Sequence, residues 1–493
     1  MYNSFSSIRY TILVLILTSF TYVNSQTVAD AIRLSQPPMY SNARAMSLGN
    51  AYSVIGNDYS GILFNPATLG LTEGTEFTGS INYDFYNNNA IFFNTPTQFT
   101  NSTTTFSQFG IVLQLNADTS NSFALALGYT HTADFNRARK FTGYNPNNTM
   151  IEDLTVNNKE VSRELRLSYP VYDQTTDEYL HDETVFNGNL QQSGFDLEDG
   201  GLNVWSFGGS YEFASNIFLG GSINYSVGSY LGDSEYTEAD VFNNYNSQTD
   251  PNDPNSVGFQ NMTKRVTRKW AINGYDFRFG ILYKLWNFIG LGVSFKTPTH
   301  YSIIENLTYN AESRFAKGYT KQYESKVVEK GYKISTPFEI TAGTMVNLWI
   351  ITATVQATYI DFGQIQYEGG LDYTDQAKVN KYLKSTLDPA IRLNGGAEFR
   401  LPFTGLAARA GAMLVITPSD IEQKKETGKA DFTYSQKYLT AGIGFRSGEN
   451  LEFDIGYVFG WWTVINENYG TGQSTVTDDI QSHNIIFTTS FRL

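Results

Sequence analysis

ARAMSLGNAYSVIGNDYSGILFNPATLGL, residues 43–71, stands alone between an export signal and a long series of alternating segments, and it reads as a plug rather than a strand. Small residues and glycines (Ala43, Ala45, Gly49, Ala51, Gly56, Gly61) let the backbone fold tightly into a confined space. Ile62, Leu63 and Phe64 add an apolar patch ahead of Asn65-Pro66-Ala67. In that tripeptide proline fixes its own φ and biases Asn65 away from the helical region, while the Asn side chain bonds local backbone, so a single held turn is expected. Upstream, VADAIRL (residues 28–34) reads as a short amphipathic helical piece that Pro37-Pro38 cannot continue.

Downstream of about Glu76 the period changes to two. Phe123, Leu125, Leu127 and Tyr129 alternate with Ala124, Ala126, Gly128 and Thr130, a large apolar face backed by a small or polar one. Comparable runs begin near residues 76 and 108 and recur near 202–213, 216–230, 270–285, 288–303, 334–347, 349–362, 390–401, 404–416, 435–446, 450–462 and 483–493, which makes fourteen. An even number of runs, many of them about 9–11 residues long, suits a closed antiparallel barrel of tilted bilayer-crossing strands. Arg278, Lys284, Lys296, Glu339, Arg392, Glu398, Arg400, Arg409, Glu452 and Asp454 all fall on the face opposite the apolar residues of their runs. A lumen lined with charges of both signs explains ten such positions together better than the solvated face of a soluble sheet. Short connections alternate with long polar ones at 135–201, 233–268, 363–388 and 417–434, as for a barrel with one periplasmic and one external end.

Composition agrees. The first 25 residues carry Arg9, an apolar core from Tyr10 to Phe20 and small residues before Gln26, the pattern of a secretory signal. Beyond it no run of 18 apolar residues remains, so helical membrane spans are not expected. Alternation of lipid-facing and lumen-facing residues keeps the mean hydropathy at -0.29, while 33 Tyr, 35 Phe and 42 Gly are what girdles and tight barrel packing require. A net charge of -14 excludes nucleic acid as a partner, and the absence of cysteine removes disulfides, thiolate metal sites and cysteine nucleophiles.

The plug stretch resembles the N-terminal hatch of the FadL/TodX long-chain fatty acid and hydrocarbon transporters, most densely at Asn65-Pro66-Ala67 with Phe64 before it. DAIRLSQ (Asp30–Gln36) and Ala43-Arg44 look like the variant of that family's Bacteroidetes branch. Gly396–Phe399, Arg409–Gly411 and Thr417-Pro418 look like its later strands; the segment 135–270 departs from the pattern. The resemblance implies an all-β fold: a transmembrane antiparallel β-barrel of about 14 strands (76–493) with a hatch (26–75) inside its lumen, placed in the outer membrane as a monomer. It also implies passive uptake of a hydrophobic small molecule, a fatty acid or hydrocarbon, captured in an apolar pocket and released sideways through the wall into outer-membrane lipid. Related barrels of the PorV type act instead as scaffolds or shuttles for secreted proteins, and others carry the label of haemin receptor.

The expected sites follow. Arg392, Glu398 and Arg409 are candidates for anchoring the hatch in the lumen. Gly128 and Thr130 mark a third strand whose alternation fades towards Asp134, the expected lateral exit, although Gly128 reads equally well as a small residue on a crowded interior face. His131, His181, His300 and His483 are scattered singly, with no nucleophile or metal motif around them, so neither catalysis nor a metal or other cofactor is expected. Thr249–Asn255 (TDPNDPN) lacks the Gly and distal Glu of a calcium loop and reads as two adjacent turns.

Overall fold

Why the alternating segments close on themselves is apparent from which side of each strand is wet. In a computed structural model, which describes residues 29–36, 41–115, 122–285, 288–370, 373–416, 434–448, 450–470 and 474–493, fourteen antiparallel passes form one sheet. They are β1 (Glu76–Phe92), β2 (Thr95–Leu115), β3 (Phe123–Asp134, resumed at Arg137–Asn145), β4 (Leu190–Ala214), β5 (Ile217–Ala239), β6 (Phe259–Leu285) and β7 (Ile289–Lys296, resumed at His300–Phe315). The second half comprises β8 (Val328–Ser335, resumed at Glu339–Leu348), β9 (Ile351–Asp361), β10 (Pro389–Arg400), β11 (Leu406–Val415), β12 (Gln436–Ser447), β13 (Leu451–Glu467) and β14 (Thr475–Arg492). β14 pairs back onto β1 from Glu76–Arg492 to Ile91–Thr477, so no edge is left open between last and first strand. The signal segment, Pro37-Pro38 and Thr417-Pro418 lie outside the described residues.

The sides are inverted relative to a soluble protein. On β6, Phe277, Phe279 and Ile281 face outward, Phe279 being 56% exposed, whereas Asp276 on the intervening face is 4% exposed. Lipid has no need of polar partners, so the apolar residues go out and the polar ones turn in, where neighbouring strands and the plug supply hydrogen bonds. No described helix is long and apolar enough to cross a bilayer. A closed fourteen-stranded barrel with this outward apolar band is a membrane-spanning barrel of the outer-membrane type.

Several strands run well past their expected ends. The β4–β5 ladder continues up to Gln191–Ala239 and the β5–β6 ladder to Ala239–Asn261. The expected external loops at 135–201 and 233–268 are therefore partly strand. Their upper turns carry Asp, Glu, Thr, Lys and Arg on both faces, so no apolar periodicity marks them, and pairing is held by contacts such as Arg265–Asp233 at 2.5 Å. Above them, residues 146–189 fold into a cap containing α3 (Met150–Asn157) and α4 (Lys159–Glu164), numbered after the plug helices α1 (Ala43–Ser47) and α2 (Gly61–Phe64). Thr149 caps α3 in a reciprocal box with Glu152. Phe92, Phe141, Met150, Ile151, Phe186, Phe259 and Phe315 form the apolar core beneath the cap.

Candidate functional site

Residues 41–75 occupy the lumen at the end with short turns. Asn42 caps α1, its side chain accepting from Ala45 N at 2.7 Å, and α2 ends at Asn65, whose extended backbone (φ -156°, ψ 102°) starts a 3-10 turn over Pro66–Leu71. Proline at the first position of that turn forfeits no hydrogen bond. The Asn65 side chain closes the turn, accepting from Ala67 N at 3.1 Å and donating to Ser53 O at 2.8 Å. It also donates to Ile281 O of β6 at 3.2 Å, which ties plug to wall. Phe64 packs edge-on against Tyr52, centroids 5.7 Å apart, and its carbonyl accepts from Ser294 of β7 at 2.7 Å.

Where β5 and β6 approach this turn most closely, the wall is glycine. A Cβ on Gly280 would stand 1.8 Å from Asn65 Oδ1, and one on Gly220 2.2 Å from Ala67 N. The close approach of plug backbone to β5 and β6 thus requires glycine. Gly396 and Gly411 do the same for Leu48 and Gly49 on the far side of the lumen. Gly396 and Gly411 lie in the stretches that resemble the family's later strands, whereas nothing in the sequence marks Gly220 or Gly280 as plug contacts.

Of the expected anchors, one pairs with the plug directly, a second stands behind it, and the third pairs elsewhere in the wall. Glu398 is 1% exposed and pairs with plug residue Arg44 at 3.0 Å and with Arg409 at 2.6 Å. Arg409 reaches on to Asp454. Arg44 also donates to Asn57 at 2.5 Å, and Tyr52 bonds Asp58, so α1 is locked both to the wall and to the rest of the plug. Arg392 pairs instead with Glu339 at 3.1 Å, beside Lys296. None of the three lies against Asn65-Pro66-Ala67, whose contacts are with β4 to β7 and with Ser53.

Gly128 is not a kink. It pairs regularly with Gly110 of β2 and Ser206 of β4, and a Cβ there would stand 2.6 Å from the ring of Tyr59, a fully buried plug residue. It sits as a small residue on a crowded interior face. The irregularity sits higher, a bulge between His131 and Ala133. Thr130 is buried with its hydroxyl towards that of Tyr59, and it is the last residue of β3 to pair with β2. The β2–β3 ladder runs from Leu115–Phe123 to Gln108–Thr130 and no farther among the described residues, although β2 continues to Thr95 along β1. Ser107 Oγ and Gln108 Nε2 are buried at that end without a hydrogen-bond partner among the described residues.

Above the plug lies a chamber of about 780 Å³, lined among others by Tyr86, Phe141, Trp462, Ile480, Arg139 and Lys264. The helical turn at 29–34 borders it. Asp30 bonds Arg268 at 2.7 Å, and Arg33 bonds Glu198 at 2.5 Å while lying 4.4 Å over the Tyr230 ring. Sequence reasoning missed this chamber because its lining is gathered from many strands and from the 29–34 turn, which are far apart along the chain. The histidines stay apart: His131 bonds Asn203 and His300 bonds Ser335, each at 2.9 Å. Among the described residues no three His, Cys, Asp or Glu side chains converge as a metal site. In 249–255, Asp250 and Asp253 accept from Asn252 N and Asn255 N, two consecutive turns.

No family model matches the sequence, and no curated protein does. Solved structures do match. The fold is similar to that of the toluene transporter TodX of P. putida, at 11% identity and a TM-score of 0.52 over 92% of this chain and 99% of that one. It is equally similar to a FadL homologue of Pseudomonas aeruginosa, at 11% identity and a TM-score of 0.54 over 93% and 100%. At such identity the likeness is one of fold: a fourteen-stranded barrel of the FadL/TodX type.

Proposed function

We propose that this barrel is an outer-membrane channel for passive uptake of hydrophobic compounds such as long-chain fatty acids. The carrying observation is the pairing of a filled lumen with an interrupted wall. The plug, residues 41–75, fills the periplasmic half and is fastened to β5–β7 and β10–β13, so the chamber above it has no straight route down. Beside it, the β2–β3 ladder stops at Gln108–Thr130, eight residue pairs from the short-turn end and within the outward apolar band that holds Phe106, Phe109 and Leu127. A ligand collected in the chamber leaves sideways there, into lipid. The driving force is transfer of apolar surface out of water, about 0.8 kcal/mol for each methylene buried. The hatch turn and the end of β3 at Thr130 are the elements this route uses. A scaffold for secreted proteins needs no break in the wall, and the interrupted ladder favours transport over that alternative.

The chain has no cysteine, so one engineered pair can lock the gap. Thr103 Oγ1 donates to Asp134 Oδ2 across it at 3.2 Å. Oxidised Thr103→Cys/Asp134→Cys protein is expected to lose at least tenfold in fatty acid uptake and to regain it on reduction. Unchanged uptake by the fully oxidised protein removes the lateral route.

A further inference from the structure

Just above the plug, Arg278 of β6, Lys296 of β7, Glu339 of β8 and Arg392 of β10 converge on a pocket of about 30 Å³ that also touches Asn50 and Phe64. Their charges do not balance. Glu339 is shared by Lys296 at 2.9 Å and Arg392 at 3.1 Å. The other carboxylate, Asp276, stands 3.7 Å from Arg278 Nε, too far for a hydrogen bond, and accepts instead from Asn224 at 2.8 Å and Thr299 at 3.2 Å. The plug residues and the β9 residues facing this pocket are neutral, so three cations meet two carboxylates.

Two donors are left over. Arg392 is 8% exposed, and its Nη1 is buried with no hydrogen-bond partner among the described residues; Arg278 Nε is in the same condition. An unmatched guanidinium N–H in a low-dielectric interior is costly, and one negative charge placed between the two would satisfy both and close the count. The pocket is the right size for this and little more, since a water-sized occupant needs roughly 10–15 Å³ on this measure.

We propose that the pocket is a binding site for one monovalent anion: a free halide-sized ion or the carboxylate head of an amphiphile whose tail stays outside it. The inference does not require the transport reading, because a barrel that carries nothing can still hold the ion; only the carboxylate source depends on it.

The test uses the detergent-purified full chain, with bromide as the probe. Crystals soaked in bromide should show an anomalous peak between Arg278 and Arg392. In a bromide titration of thermal stability, the half-saturating concentration should rise at least tenfold in Arg392→Gln. Arg278→Gln, which leaves the Lys296–Glu339–Arg392 group intact, provides the second variant, and heat-dependent gel mobility verifies that both barrels assemble. Laurate added with bromide separates the sources: displacement of the peak assigns the site to a carboxylate head, and persistence assigns it to a free ion. No peak, water alone in the pocket, or bromide dependence unchanged in both assembled variants overturns the proposal.

Discussion

Replacing Gly280 by alanine tests the seating of the hatch turn directly. The new methyl would overlap Asn65 Oδ1, at 1.8 Å, so the Asn65 side chain must rotate away. It then gives up its bonds to Ser53 O, Ile281 O and Ala67 N. At about 0.5–1.5 kcal/mol net for each hydrogen bond, the turn loses roughly 3 kcal/mol, which is roughly a hundredfold in its open population. Gly220→Ala should cost more, because the atoms met there at 2.2–2.3 Å are the backbone of Pro66 and Ala67, which no side-chain rotation relieves. Gly79→Ala is the control, its nearest neighbour being 4.0 Å away. The assay is amide hydrogen exchange in detergent. Exchange at Ala67 and Thr68 should accelerate by about two orders of magnitude in Gly280→Ala, while strand amides keep their protection. Equal protection at Ala67 in the wild type and Gly280→Ala refutes the glycine seat.

Other outcomes follow from the same contacts. Glu398→Ala leaves Arg44 buried in the lumen without a carboxylate partner, while Arg409 keeps Asp454, and should destabilise the protein by about 3–5 kcal/mol in denaturant titration. Arg44→Met should cost clearly less, since Glu398 keeps Arg409 and Arg400. Replacing Asn65-Pro66-Ala67 by three alanines should reduce fatty acid uptake in cells while leaving the barrel assembled, because the turn contributes nothing to the strand ladder; normal uptake by the assembled variant takes the hatch out of the mechanism. The mature protein should fractionate with the outer membrane and change gel mobility on boiling, and recovery as a soluble periplasmic monomer would contradict the barrel. Thr149→Ala removes the α3 cap and should cost about 1 kcal/mol locally, read as faster proteolysis within 150–189 with the barrel core intact.

Alternation along the chain was enough to indicate the class of fold and the side each strand residue faces, because a two-residue period leaves a strand no choice once one face must meet lipid; the count of fourteen passes rested also on the family resemblance. Phe277, Phe279 and Ile281 point outward for that reason, and Arg278 points inward. The plug could be told from the strands by its glycines and its Asn-Pro turn, both local properties. Length beyond the membrane was illegible, since strand extensions such as 229–239 carry mostly small and polar residues without a regular apolar alternation, and their extent follows from register with a neighbour. Contacts across the lumen were equally out of reach. Glu398 meeting Arg44, Arg392 meeting Glu339 and Gly280 meeting Asn65 join residues from about 50 to more than 350 positions apart; the first and last depend on how far and at what rotation the plug enters a closed ring, the second on how the wall strands are staggered. Gly128 illustrates the limit: in the sequence it was either a kink or a space for something large, and only the arrival of Tyr59 decided which.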